Sequence, residues 1–181
     1  SACQYARELL ALWPDPEQFW LALQEDPARM PAFVSKHAAA RLESATPYDF
    51  EERMDHCLLT GVEALTPDDP DYPARLREIP DLPLVLYVTG DKTCLNGHRY
   101  AAMVGTRRPS AYGRQAAYEL SLGAAKAGVV IVSGLADGLD SEGHRAAVEA
   151  GMPTIAFLGT AIDVTFPSSN TTLRQRIEAL G

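Results

Sequence analysis

The sequence predicts an α/β protein, in which a small helical domain precedes a Rossmann-like, parallel-rich sheet. Glycine marks the division, because all 13 glycines lie at or beyond Gly61 and none lies in the first 60 residues. Beyond that point short apolar runs alternate with segments of helical periodicity. The apolar runs are continuous rather than alternating, which is typical of parallel strands covered on both faces.

The first third of the chain has the periodicity of short helices. Apolar residues such as Phe19 and Leu23 recur at three to four positions, and several prolines divide the segment into pieces. We therefore expect a helical bundle over residues 1–61, a proline-rich linker over 62–83 and a Rossmann-like domain over 84–181.

The second part of the chain predicts strands and helices in alternation, with Gly128 and Gly151 ending two of the helices. The predicted strands lie at residues 84–88, 101–104, 129–132 and 154–158. The predicted helices lie at residues 113–127, 140–150 and 172–180.

Charge and composition limit the classes of function. The net charge is −8, but residues 1–97 hold 8 basic and 17 acidic side chains, whereas residues 98–181 hold 8 basic and 7 acidic ones. Any anion site should therefore lie in the second part. No apolar run reaches the roughly eighteen residues of a membrane span, and the three cysteines form no CxxC pair. We expect a cytoplasmic protein without membrane insertion, disulfide framework or structural zinc.

The turn over residues 105–114 leads from a predicted buried strand into a helix, the position where open α/β sheets bind ligands. It carries three arginines within eight residues of an acidic chain. Guanidinium forks and the free N–H groups of a helix N-terminus both suit phosphate, although the arginines could instead form surface ion pairs with the acidic N-terminal part. The candidate residues of this turn are Gly105, Thr106, Arg107, Arg108, Ser110, Tyr112, Gly113 and Arg114.

A second turn, over residues 133–140, contributes Ser133 and Gly134, because a glycine there lets an extended ligand approach the backbone. Asp140 and His144 stand four positions apart on one helical face, which is a possible metal spacing. A simpler interpretation is that Asp140 or Ser141 caps the helix that starts here, since acidic and hydroxyl side chains are favoured at helix N-termini. We therefore expect no metal site.

A third turn, over residues 159–170, ends a strand that should lie beside the first two turns. Gly159 and Thr160 could therefore line the same crevice. Asn170 either caps the last helix or reads a polar edge of the ligand, and Phe166 either stacks on a base or belongs to the core.

Four ordered motifs in these turns resemble the DNA-processing protein A (DprA/Smf) family. They are MVGTRRPSAYGRQAA, VVIVSGLADGLDSEGHRAAVEAG, PTIAFLGTAIDVTFPSSN and the preceding run TPDDPDYPARLREIPDLPLVLYVTGD. The resemblance covers Thr66 to Gly181. It implies an extended Rossmann-like fold, usually dimeric and without a nucleotide cofactor, often preceded by a SAM-like or helix-hairpin-helix domain. It also implies that the Rossmann-like domain of relatives continues beyond the position of Gly181, so that this chain is a fragment.

The same resemblance implies a non-enzymatic role. Family members bind single-stranded DNA during natural transformation, protect it and help load the RecA recombinase for homologous recombination. Arg107 corresponds to the arginine of the family's G-[ST]-R turn, which contacts DNA phosphate, and the residues Gly105, Thr106, Ser133 and Gly134 carry over to the same pocket. We expect single strands to be preferred over duplex, without strong sequence specificity.

Two other functions remain open from the sequence. A nucleotide phosphoribohydrolase of the lysine-decarboxylase-like type has a similar fold but uses a PGGxGTxxE turn with a catalytic glutamate. The Gly-Thr pairs of this chain are followed by Arg107-Arg108 and by Ala161-Ile162, without that glutamate. We therefore predict no catalytic residues. The third possibility is a nucleotide-binding regulatory module.

Overall fold

A computed structural model of the chain describes residues 8–44 and 46–180. Short helices occupy its N-terminal part, as the apolar periodicity predicts. A helical stretch at residues 8–12 is followed by α1 (Pro16–Glu25), α2 (Lys36–Ser44) and α3 (Pro47–Thr60). None of the helices in the described ranges is long and apolar enough to cross a bilayer.

Helix α1 shows how the sequence specifies these short elements. The carboxylate of Asp15 caps the helix by accepting from the backbone N–H of Glu17 at 3.0 Å. Phe19, Ala22 and Leu23, three and four positions apart, form its buried face. The helical N-terminal part of the predicted fold is confirmed.

A two-stranded ribbon follows the helices. Strand β1 (Glu63–Leu65) pairs antiparallel with β2 (Leu86–Val88), apart from the main sheet. The sequence predicts residues 84–88 as the first strand of the parallel sheet, and that placement is wrong. The physical reason is that β2 is half-buried, with Tyr87 exposed between two partly buried neighbours, whereas a central parallel strand is covered on both faces.

The proline-rich segment over residues 62–83 is packed against this ribbon. Tyr72 is completely buried, and its hydroxyl donates to the carbonyl oxygen of Pro83 at 2.6 Å. Leu65 and Leu82 bury their side chains in the same cluster. The segment thus shares an apolar core with the ribbon and is more than an extended connector.

The main sheet has the strand order β3-β4-β5, with both neighbouring pairs parallel. The strands are β3 (Arg99–Ala102), β4 (Val129–Ser133) and β5 (Thr154–Ala156). The helices that alternate with them are α4 (Ala111–Lys126), α5 (Leu139–Glu149) and α6 (Thr171–Leu180). The predicted Rossmann-like α/β fold is confirmed.

Small side chains let the helices lie close to this sheet. Ile131 of β4 is buried against Ala125 of α4 and Ala147 of α5. A second cluster joins Leu135, just beyond β4, to Ile177 of α6. Because the three strands are parallel and in register, their carboxyl ends meet at one edge of the sheet, where the three predicted turns also meet.

Candidate functional site

The first two turns are packed backbone against backbone. Gly138 has φ +88°, and a Cβ atom there would lie 2.8 Å from the Cα and carbonyl carbon of Arg107 and still closer to the oxygen of Thr106. That oxygen accepts from the backbone N–H of Leu139 at 3.3 Å. At Gly105, an added Cβ would overlap the Leu139 side chain. Glycine is therefore required at Gly138, where the neighbours are backbone atoms, whereas a side chain at Gly105 would require the Leu139 side chain to move.

The second and third turns are joined by Asn170, which is 5% exposed. Its side-chain N–H groups donate to the carbonyl oxygen of Leu135 and to the hydroxyl of Ser141, both at 2.9 Å. The neighbouring Ser169 hydroxyl donates to the Asp137 carboxylate at 2.8 Å. The sequence predicts Asn170 as a helix cap or a ligand contact, but its amide nitrogen is occupied in holding two turns together.

The third turn is held internally by Arg174 of α6. Its guanidinium donates to the carbonyl oxygens of Ile162 and Val164 and to the hydroxyl of Thr165. The hydroxyl of Thr160 closes the same turn by donating to the oxygen of Val164 at 2.9 Å. The guanidinium of Arg174 therefore stabilises the third turn, whereas that of Arg107 in the first turn has no partner among the described residues.

The three turns together enclose an open cavity of about 260 Å³. Its surface combines one guanidinium, one carboxylate, one hydroxyl and one aromatic ring. The aromatic ring is Phe166, whose side chain is 64% exposed and so lies outside the core. The lining residues are Arg107, Gly134, Ala136, Asp137, Gly159, Thr160, Phe166 and Pro167.

Arg107 is the cation of this cavity. It is exposed and makes no ion pair or hydrogen bond with any residue that the structure describes. The neighbouring Arg108 does not line the cavity, and its backbone N–H donates to the hydroxyl of Thr106 at 3.1 Å. Arg114 lies 3.5 Å from the carboxylate of Glu142 on α5. The alternative of surface ion pairs thus applies to Arg114, with a partner in α5 rather than in the acidic N-terminal part.

Several predicted residues serve the turns rather than the cavity. The Ser110 hydroxyl caps α4 by accepting from the N–H of Gly113 at 3.1 Å, and Tyr112 is 81% exposed on that helix. The Ser133 hydroxyl donates to the carbonyl oxygen of Met103. Of the residues that the sequence places in one crevice, the structure brings together Arg107, Gly134, Gly159 and Thr160. The predicted residues outside the lining are Gly105, Thr106, Arg108, Ser110, Tyr112, Gly113, Arg114, Ser133 and Asn170.

The sequence pattern predicts no binding role for Ala136, Asp137 or Pro167, and it leaves the role of Phe166 open. The signal that could have found them is proximity, because each lies in a turn that already carried a predicted residue. Exposure separates the two possibilities for Phe166, and exposure depends on the tertiary structure rather than on local pattern.

The pair Asp140 and His144 has a structural place beneath the second turn. The Asp140 carboxylate accepts from the N–H of Gly134 at 3.1 Å, and α5 begins after Gly138 without a side-chain cap. The expectation that Asp140 or Ser141 caps α5 is therefore wrong. Within the described residues, no group of histidine, cysteine and acidic side chains is arranged to hold a metal ion.

His144 is fully buried, and its hydrogen bonds define its tautomer. Nδ1 lies 2.8 Å from the hydroxyl of Thr154, which itself donates to the carbonyl oxygen of Ile131 at 2.7 Å. Nδ1 therefore carries the proton, and Nε2 has no partner among the described residues. Burial lowers the pKa of His144 to about 4, against a small opposing effect of the Asp140 charge.

These features define a Rossmann-like protein with an arginine-containing cavity at the carboxyl ends of its parallel strands. Within that class, the chain belongs to the DNA recombination-mediator protein A family, whose model matches residues 63–181. The resemblance of the four motifs to this family is confirmed.

Individual members of this family are similar to the chain in sequence and in structure. The chain is 41% identical to the Smf protein of Synechocystis over 124 residues, which are 65% of this chain and 30% of that protein. The X-ray structure of DNA processing protein A from Streptococcus pneumoniae is 30% identical and superposes with a TM-score of 0.61 over 88% of this chain and 58% of that one. The likeness therefore extends into the N-terminal helices.

A second solved relative is DNA processing protein A from Helicobacter pylori, for which a unique single-stranded DNA binding mode has been described. It is 31% identical, with a TM-score of 0.57 over 66% of this chain and 53% of that one. The chain thus spans about a third of its curated relative from Synechocystis and a little over half of the two solved structures.

Proposed function

We propose that this chain binds single-stranded DNA in the cavity formed by the three turns, with Arg107 as the main phosphate contact. The observation that carries the proposal is the position of Arg107, an exposed guanidinium without a protein partner among the described residues, at the carboxyl ends of parallel strands. A phosphate would supply the missing anion. The single-stranded DNA binding of the Helicobacter pylori relative supports the same assignment.

The other groups of the cavity favour a single strand over a duplex. Phe166 presents an exposed ring to the cavity that Arg107 also lines, and stacking on an aromatic side chain requires a base that has left its own stack. Gly134 and Gly159 leave room for a thin backbone because they carry no side chain. Arg114, the basic residue in the first turns of α4, is already paired with Glu142, which weakens any case for major-groove reading by that helix.

In the cell, the proposed role is to bind incoming single-stranded DNA during natural transformation, to protect it and to assist RecA loading for recombination. The name of the matching family, a recombination mediator, supports this role. We further propose that the protein is a cytoplasmic homodimer, and that it acts without a cofactor and without catalysing a reaction. The free thiols of the buried Cys57 and Cys94 suit a reducing compartment.

Binding of fluorescent oligonucleotides tests the proposal. Fluorescence anisotropy should show tighter binding of a single strand than of the duplex of equal length. The logarithm of the affinity should fall with the logarithm of salt concentration by about 0.7 for each phosphate contacted. Equal affinity for duplex and single strand would contradict the proposal. Saturation by a mononucleotide that displaces the oligonucleotide would instead indicate a nucleotide-binding regulatory module.

A further inference from the structure

A carboxylate lies in the same cavity as Arg107. The Asp137 side chain lines this cavity, and its Oδ1 accepts the hydroxyl of Ser169 at 2.8 Å, which fixes the direction of the carboxylate. Its Oδ2 meets no donor among the described residues. An ionised carboxylate only accepts hydrogen bonds, and it repels a phosphate placed beside it. Any ligand group that contacts Oδ2 must therefore be a hydrogen-bond donor.

An internal nucleotide of a DNA strand offers donors only on its base. The phosphate and the deoxyribose carry acceptors, whereas the bases carry N–H groups on their Watson–Crick edges. Guanine alone presents two adjacent donors there, N1–H and the N2 amino group. Adenine and cytosine present one amino group each, and thymine presents a single N3–H. A carboxylate therefore forms more hydrogen bonds with guanine than with any other base.

We propose that Asp137 makes this cavity a guanine subsite, in which the carboxylate accepts from the Watson–Crick edge of one base. The inference rests on the proposed binding of single-stranded DNA and adds a base preference to it. Phe166 provides the ring on which the base stacks, and Arg107 binds its phosphate. Ala136, Gly134 and Gly159 keep the space between these groups free of bulky side chains.

The same contact disfavours duplex DNA. In a duplex, N1–H and the amino group of guanine are already paired with cytosine, so Asp137 would face acceptors and phosphates and would weaken binding. In a single strand the edge is free. One carboxylate thus both selects a base and penalises the duplex, while the phosphate contacts elsewhere on the strand tolerate any sequence.

Base analogues test the subsite on the whole chain. The probes are labelled thymine oligonucleotides in which every third base is guanine, hypoxanthine, 7-deazaguanine or cytosine, measured in lithium buffer to avoid guanine quadruplexes. Hypoxanthine lacks only the N2 amino group of guanine, whereas 7-deazaguanine keeps the whole Watson–Crick edge. The guanine and 7-deazaguanine strands should bind about fivefold more tightly than the other two.

The variant Asp137→Asn should abolish this preference, because its amide no longer presents two acceptor oxygens to the guanine edge. Asp163→Asn is the matched control. It removes the same charge from an exposed position of the third turn that does not line the cavity, so it should keep the preference. Thermal melting of both variants checks that the fold is retained.

Equal affinity of the parent for guanine and hypoxanthine strands would overturn the subsite, as would a preference that survives in Asp137→Asn. Tighter binding of a ribose strand of the same sequence would overturn it too, because Asp137 would then accept from 2′-hydroxyl groups. In these cases the proposed DNA binding would still stand. Failure to bind any oligonucleotide would overturn both proposals.

Discussion

Replacement of Arg107 by alanine is the most direct perturbation of the proposed function. The guanidinium has no partner among the described residues, so its removal breaks no ion pair and leaves no buried carboxylate unpaired. The fold should therefore be unaffected, and any loss of binding should come from the ligand contact alone. Arg114, Arg145 and Arg174 do not allow so clean a test, because each of them pairs with a carboxylate of the protein.

The expected loss follows from the type of contact. A hydrogen bond between a guanidinium and a phosphate contributes about 1.5–3 kcal/mol, so Arg107→Ala should weaken single-stranded DNA binding by about ten- to a hundredfold. A phosphate contact carries little sequence information. The loss should therefore be similar for every base composition, and the salt slope should fall by about 0.7. Arg107→Lys should lie between parent and alanine variant, since it keeps the charge but loses the fork.

Fluorescence anisotropy over a salt series measures both quantities, and Arg108→Ala is the matched control. Arg108 is adjacent and equally charged, but it does not line the cavity, so its removal should cost much less. An Arg107→Ala variant that melts like the parent and also binds like the parent would refute the phosphate assignment. Equal losses in the two variants would show that the contribution is a diffuse charge effect rather than a contact.

Three further predictions concern the groups that shape the site. Gly138→Ala should lower both the melting temperature and the DNA affinity, because its Cβ would collide with the Arg107 backbone, whereas Gly123→Ala, which meets no atom within 4 Å, should stabilise the protein slightly. Asn170→Ala should lower the free energy of unfolding by about 2 kcal/mol in urea denaturation, yet leave the salt slope unchanged because no phosphate contact is lost. Folding lowers the pKa of His144 from 6.5 to about 4, so the unfolded chain binds the proton first as pH falls. The contribution of His144 to the unfolding free energy should therefore be constant above about pH 6.5 and should fall by about 3 kcal/mol towards pH 4. The variant His144→Gln should lack this part of the loss and keep the part that comes from the carboxylates.

The local pattern predicts the helices of the α/β part well. The bounds of α4, α5 and α6 differ from the predicted ones by no more than two residues, because glycine in the left-handed conformation ends α4 at Gly128 and α5 at Gly151. The antiparallel pairing of β2 with β1 does not follow from local pattern. Strand pairing with β1 joins residues more than twenty positions apart, and no local propensity encodes it.

The predicted site residues also divide into those whose place follows from local pattern and those whose place depends on the tertiary structure. Arg107, Gly134 and Gly159 line the cavity, and the sequence predicts their place because each follows the carboxyl end of a strand, where this fold class binds ligands. Ser110 and Gly113 belong to the start of α4, and no residue of that helix is among those that line the cavity in the described part of the chain. Asn170 has a side chain equally suited to a ligand or to a protein carbonyl, and only its burial decides between them.

The polar residues of the three turns fall into two groups, and the division has a thermodynamic consequence. One group, with Asn170 and Arg174 as examples, uses its donors on protein oxygens and so fixes the turns before any ligand arrives. The other group, Arg107 and the free oxygen of Asp137, has no protein partner in the described residues. Because the turns are already ordered, the binding free energy is not reduced by the entropic cost of ordering them. Variants of the first group should therefore lose stability and affinity together, whereas variants of the second should change affinity at constant stability. Measuring both quantities on one variant thus assigns its role, and a residue of the first group that lost affinity alone would have to be reassigned to ligand contact.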